Sequence, residues 1–461
     1  MLDRGFLAAI LVATVLLWGP WSNVYFIGPD DVKLVQASAA LAAGDWSQLL
    51  APQDVHVLPL FRLLRLWPDT HFPEEFHWLY RLSLLAHLAS TGLLFMLSRR
   101  WLGASASALA VAALFGWRTL GGDALLISSQ NTYVVSLPFL LGALVCLDRL
   151  QRPNRRTWAA ACLACLSVAV LLHSLVAAAA IPGVLAAYYL LLRSKESDRL
   201  VWIACGLPLL LAMVLWRLWG LPGLRTSPDS RHFLAADWGA QFCEALLGTA
   251  LHFGSHVWRG RPTARVLAAL AAVCGLLLWR LRDRPAARWV LASFALTAGP
   301  AFLIFLVRTS ETYSHSRYAY QTFLPIAVVA GAALSLALSW LASRPALQAA
   351  VLALLLATAP LYYLSQRDYL ARLGSLHQSR GLPREYWLDW KRFFESAPGP
   401  LRLPRMALRP TWTVREVFTL LYPNGKSGIE PAGDSDCAAF QHLAAQWGKT
   451  PAPGDRWTCV H

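Results

Sequence analysis

The feature that most limits what this chain can fold into is the recurrence of apolar runs of bilayer length. The series opens with "GFLAAILVATVLLWGPW" near the start. Further runs occupy roughly 78–97, 104–117, 131–148, 157–173, 176–192, 200–218, 265–279, 288–306, 322–342 and 346–364, against a need for ~20 mostly apolar residues to cross a ~30 Å hydrocarbon core. Lipid offers backbone N–H and C=O groups no partners, so each run must satisfy them internally as a helix. The pattern therefore predicts an all-α polytopic membrane protein with about eleven transmembrane helices. Charged residues are only 15% of the chain, where soluble domains carry about 25%. No small-x-small cleavage site closes the first run, so it is expected to be a retained helix.

The formal net charge is +15. In a soluble chain that excess would suggest nucleic acid, but here it falls in short clusters between the apolar runs. Counted from a cytoplasmic start, every inside loop is basic: Arg4, then Arg99 and Arg100, "RLQRPNRR" (Arg149 to Arg156), "RSKESDR" (Arg193 to Arg199), "RLRDRPAAR" (Arg280 to Arg288) and Arg344. This is the positive-inside pattern, and it replaces nucleic acid with membrane lipid as the expected partner. Many of the 21 Trp flank the runs as interfacial anchors do. One further stretch, "WGAQFCEALLGTALHFGSHVW" (Trp238 to Trp258), is long enough to span but holds Glu244, His252 and His256. Making it span would place the Arg280 cluster outside, so an interfacial or re-entrant helix is expected. The Ala, Leu and Arg usage fits a GC-rich bacterial genome, hence a multi-pass protein of the bacterial inner membrane.

Three outside features follow from this topology. The first outside loop covers 22–77, a second covers 219–265, and a polar tail covers 365–461 beyond a membrane domain of 1–364. Loops this long are usually functional. Cys146, Cys162, Cys165, Cys205, Cys243 and Cys274 lie in or beside apolar segments, where Cys acts as a small hydrophobe. Cys437 and Cys459 share the tail, where an oxidising compartment would permit a disulfide.

The chemistry-bearing residues collect outside. Asp30 and Asp31 follow the first helix directly in "FIGPDDVKLVQAS". They are either a hydrated helix end or a general base for an acceptor hydroxyl. His56, Arg62 and Arg65 follow in "QDVHVLPLFRLLRLW", whose apolar positions predict a helix lying in the interface with its arginines snorkelling. A loop folded back on the surface would bring His56 to the acids. Arginine suits phosphate because its fork matches phosphate oxygens. The outside-facing candidates are Arg62, Arg65, Arg118, Arg225, Arg231, Arg308 and Arg317.

The order of these features resembles a family. A first helix, an acid pair, a long outside loop with a His/Pro element and then "HWLYRLSLLAHLASTGLLFMLSRRWLG" are similar to the membrane-embedded GT-C glycosyltransferases. The likeness is greatest to the protein mannosyltransferase and tetratricopeptide-linked O-mannosyltransferase branch, with its bacterial relatives. The family's Leu-His pair on the second helix is matched in region by Leu85, Ala86 and His87. "ALFGWRTLGGDALLISSQN" resembles the family's next motif, Asp123 taking the place of its acid, while Arg118 and Thr119 replace its His-Pro. "SHSRYAYQTFLP" resembles its late-helix entry through Arg317, Tyr318 and Tyr320, with the proline displaced to Pro325. The resemblance covers about residues 1–345 and leaves the tail unmatched.

It implies an inverting transfer of a sugar from a polyprenyl-phosphate donor at the outer membrane face. In that reading Asp31 or Asp30 is the base, Asp31 preferred because Asp30 follows Pro29, and Asp123 is a second acid. His56, Arg62, Arg118, Arg308, Arg317 and Tyr318 form the substrate set, with Arg317 and Arg118 on the lipid phosphate. The acceptor is a glycan, a glycolipid or a protein. The alternatives are an envelope polysaccharide polymerase or ligase, a transporter, or a non-catalytic scaffold. A transporter would carry charges at mid-membrane or paired broken helices. No cofactor is expected. No metal site is expected either, since His252 and His256 have helical spacing with no glutamate between them.

Overall fold

The computed structural model describes residues 2–23, 29–53, 56–71, 77–119, 123–126, 131–192, 197–220, 284–307, 319–378, 384–396, 401–402, 407–409, 412–422 and 429–430. In chain order its helices are α1 (Leu2–Trp18), α2 (Pro29–Ala42), α3 (Pro59–His71), α4 (His77–Leu102), α5 (Ser105–Trp117), α6 (Asp123–Leu126), α7 (Thr132–Arg149) and α8 (Arg155–Leu172). They continue with α9 (Ser174–Leu191), α10 (Asp198–Leu215), α11 (Pro285–Val307), α12 (Ala319–Thr322), α13 (Leu324–Trp340), α14 (Pro345–Gln378), α15 (Arg384–Ser396) and α16 (Val414–Leu421). Ten of the expected apolar segments are helical, and the segment at 265–279 lies outside the described residues. Seven described helices are long and apolar enough to cross a bilayer.

Polar contacts sort the bundle into two ends. At the end carrying the arginine clusters, Asp3 receives Arg99 at 2.8 Å and the Ser105 hydroxyl at 2.9 Å. Trp289 donates to Ser98, and Ser335 to the Leu102 carbonyl, at the same level. Between α4 and α5 the chain turns through Gly103, whose φ of +73° lies in the left-handed region. Gly103→Ala is expected to cost about 1–2 kcal/mol, read as a lower thermal midpoint with the fold intact.

The helices pack closely where side chains are small. α9 and α11 run antiparallel, with Gly183 against Ala295 and Gly299 against Ala179. Small residues on both partners let two backbones approach, as membrane helices do without a hydrophobic drive between them. α14 is mostly lipid-exposed; Leu354, Leu356 and Leu361 each stand about two-thirds open. Its helix also outlasts its apolar segment, running unbroken to Gln378. Cys146, Cys162 and Cys205 are buried and free among the bundle helices, as small apolar residues would be.

Outside the bundle, α2 and α3 pack on each other, and the tail reaches back to them: α16 lies against α2 and α15. The tail's core is aromatic, with Phe394 ringed by Trp390, Phe418 and Tyr422 at centroid distances of 5.5, 5.2 and 6.1 Å. Two-stranded pairings, Leu401–Arg402 parallel to Ile429–Glu430 and Ala407–Arg409 antiparallel to Trp412–Thr413, complete what is described there.

Candidate functional site

α3 is built inside-out relative to the snorkelling arrangement that its pattern predicts. Leu63, Leu64 and Trp67 face outward, while Arg62, Arg65 and Asp69 are buried. The reason is a set of carboxylates that apolar periodicity does not reveal. Arg65, 0% exposed, places Nη1 2.8 Å from Asp31 Oδ1 on α2 and Nε 2.8 Å from Asp69 Oδ2, one turn along α3. The Ser38 hydroxyl donates to the same Asp69 oxygen at 2.9 Å. Asp31 is also fully buried, which rules out the hydrated helix end for that residue.

Electrostatics follow from this geometry. Burial opposes the Arg65 charge, but Asp69 and then Asp31 outweigh it and hold its pKa above the ordinary guanidinium value. Burial pushes the Asp69 carboxyl up, and Arg65 and Ser38 pull it back without cancelling the shift. Arg62 donates to the Gln48 carbonyl and is lowered by burial to about 10, so it stays cationic at neutral pH.

His56 joins a different grouping. Its ring meets His173 edge-on at 4.7 Å, and Tyr133 lies 4.7 Å from His173 on another side. The Ser174 N–H donates to the Val57 carbonyl at 3.3 Å, tying this loop to the turn between α8 and α9. His173 caps α9 by accepting the Val176 N–H on Nδ1. Among the described contacts, the His56 ring pairs with His173, and no bond to Asp31 is present.

The third grouping surrounds Arg118. α5 has only 13 residues, about 20 Å against a ~30 Å core. It stops as Arg118 turns extended, with φ −63° and ψ 142°. The guanidinium is 2% exposed and lies over Phe115, Tyr320 and Phe323, with centroids at 4.0, 4.4 and 4.9 Å. Cation–π attraction holds it there. The Tyr320 and Tyr362 oxygens are within electrostatic reach. Yet among the described residues none of its three nitrogens has a hydrogen-bond acceptor in proper alignment. α14 secures the next residue, Gln366 Oε1 accepting from the Thr119 N–H at 3.0 Å and from its hydroxyl at 2.8 Å.

Beneath Arg118 lies a residue that the sequence placed in no site. His87 Nε2 is 3.0 Å from the Gly116 carbonyl, and Nδ1 is 2.8 Å from the Tyr320 hydroxyl. Gly116 has no room for a side chain, since a Cβ would meet Thr14 Oγ1 at 2.9 Å. The signal for Asp69 was its i, i+4 spacing from Arg65; for His87, a lone imidazole in an apolar helix.

Of the remaining expected residues, Asp30 lies in α2 and Asp123 opens α6, with only their backbones described. Arg308, Arg317 and Tyr318 lie outside the described residues, as do His252, His256, Cys437 and Cys459. Among the described residues no group of three or more His, Cys, Asp or Glu is arranged to hold a metal ion.

No family model and no curated protein sequence matches the chain. Among solved structures, it resembles the crystal structure of ArnT from Cupriavidus metallidurans bound to undecaprenyl phosphate, with a TM-score of 0.53 and 17% identity. The match covers 96% of this chain and 87% of that one. At that identity the likeness is one of architecture. The chain is a nearly all-helical, multi-pass membrane protein with a GT-C-like fold.

Proposed function

We propose that the protein is an inverting glycosyltransferase, moving a sugar from a polyprenyl-phosphate donor to an acceptor at the outer face of a bacterial inner membrane. The observation that carries this reading is Arg118. A buried guanidinium whose nitrogens find no aligned acceptor among the described residues is costly, and the oxygens of a phosphate would supply one. It sits at the end of the bundle opposite the arginine clusters, which the positive-inside rule makes the outer end. A solved structure of similar architecture, that of ArnT, is bound to undecaprenyl phosphate, which supports a ligand of this class.

In this reading Asp31, held by Arg65, is the base that takes the acceptor proton, and Asp30 and Asp123 are its neighbouring acids. Arg118 stabilises the charge growing on the departing lipid phosphate, with Arg317 assigned beside it by the family resemblance, Tyr318 following in the same motif, and Arg308 a further outside-facing arginine of the substrate set. Arg62 and His56 shape the acceptor side. Residues 1–364 make up the catalytic membrane domain, with outside loops at 22–77 and 219–265, and 365–461 is an extracytoplasmic appendage. A transporter fits less well, since the charged groups described here lie towards the two ends of the bundle.

The test is mass spectrometry of envelope glycans from wild-type, deletion, Asp31→Asn and Arg118→Gln strains at matched protein levels. One sugar is expected to vanish in the deletion strain and to fall at least about 100-fold with either substitution. Unchanged glycans in the deletion strain would sink the reading. A loss in the deletion strain that Asp31→Asn does not reproduce would remove Asp31 as the base.

A further inference from the structure

The two hydrogen bonds of His87 fix where its proton is. The Gly116 carbonyl can only accept, so Nε2 carries the hydrogen. A second proton would add a cation beside Arg118 with no described carboxylate to balance it, so the ring is neutral and Nδ1 is an acceptor. The Tyr320 hydroxyl must then donate to Nδ1. Its oxygen lone pairs are left for the side where Arg118 lies, over the same ring. The imidazole is thus anchored at both edges, and Trp18 Nε1 also donates to the Gly116 carbonyl at 3.4 Å, fixing the acceptor of Nε2.

Resting on the phosphate reading above, we infer that His87 is a positioning residue for the donor phosphate. It acts through Tyr320, whose hydroxyl it orients so that an oxygen, not a hydrogen, faces Arg118 and keeps the guanidinium over the ring in one orientation. His87 touches no substrate in this scheme. Its contribution is the direction of one O–H bond, two groups removed from the phosphate. A hydroxyl free to rotate would present its hydrogen to the cation for part of the time, and the fork would lose its fixed orientation.

Two substitutions separate orientation from packing. His87→Asn puts an amide oxygen near the place of Nδ1, keeping the acceptor for Tyr320 but losing the tie to Gly116. His87→Gln puts an amide N–H near the place of Nε2, keeping that tie but losing the acceptor. The full-length protein in lipid nanodiscs would be titrated with farnesyl phosphate, and with farnesol to measure the tail alone. Wild type is expected to prefer the phosphate by tenfold or more, and Arg118→Gln to abolish the preference. His87→Gln should weaken phosphate binding about tenfold with farnesol binding unchanged, while His87→Asn stays within about threefold of wild type. Tyr320→Phe should match His87→Gln, and the double variant should be no worse than either alone.

Equal losses in His87→Gln and His87→Asn would show that the imidazole only fills space and would overturn the inference, leaving the phosphate reading in place. Additive losses in the double variant would overturn it too. A wild type that binds farnesyl phosphate no better than farnesol would remove the phosphate reading itself, and the inference with it.

Discussion

Arg65→Met is expected to cost about 3–5 kcal/mol of stability, because it strands two buried carboxylates that share one guanidinium. Asp31 and Asp69 each lie 2.8 Å from Arg65, and with Arg65 they are at most 2% exposed. Removing the cation leaves like charges facing each other in a low-dielectric pocket between α2 and α3. The measurement is thermal unfolding of the purified protein in detergent, with yield from the membrane fraction as a second readout. A companion variant makes the cause specific. Combining Arg65→Met with Asp31→Asn and Asp69→Asn removes all three charges and should recover most of the loss, since neutral groups carry no comparable desolvation cost. The triple variant should remain inactive in the proposed transfer, having lost the proposed base. A single Arg65→Met variant within about 1 kcal/mol of wild type would mean that the network is not the buried unit described here.

The second large effect is expected at the crossing of α9 and α11. A Cβ added at Gly299 would meet the Ala179 carbonyl carbon at 2.7 Å, and one at Gly183 would meet the Ala295 carbonyl carbon at 2.8 Å. In both cases the obstacle is backbone, so no rotamer change relieves it. Gly299→Ala and Gly183→Ala must part the helices, at about 3 kcal/mol, the upper end of the range for overpacking. The control lies within the same bundle. A Cβ at Gly92 in α4 or Gly206 in α10 meets nothing within 4 Å. Alanine there should be neutral or stabilising by up to about 1 kcal/mol through helix propensity. Four thermal melts settle the contrast: equal losses at all four positions would deny the tight crossing.

The helices were legible because their cause is local. A run of apolar residues must be helical in lipid whatever surrounds it, and ten of the expected segments are. Their ends were less legible. Hydropathy falls away after Leu364 of α14, but the helix continues to Gln378, because polar residues such as Gln366, Arg367 and Asp368 can still be helical in water. α3 was read with its polarity reversed for the same kind of reason. Its spacing identifies an amphipathic helix but not which side faces inward, since that choice depends on Asp31 arriving from α2. Topology alone makes Arg118 a phosphate candidate, as one of several outside-facing arginines. The three rings that enclose it, Phe115, Tyr320 and Phe323, come from two distant stretches of chain and gave no local signal.

The distances in sequence between partners also set an order of manufacture. Asp31, Ser38, Arg65 and Asp69 fall within one stretch near the start of the chain, and their longest tie joins residues 34 apart. Those four residues are all in hand as soon as the first outside loop has emerged. The tie between His87 and Tyr320 joins residues 233 apart, so the aromatic cage round Arg118 closes only when α12 arrives. A nascent chain thus owns a finished acid cluster long before it owns a finished grip for phosphate. The ribosome delivers the two halves of the proposed chemistry far apart in time, so only a chain that has reached α12 holds both.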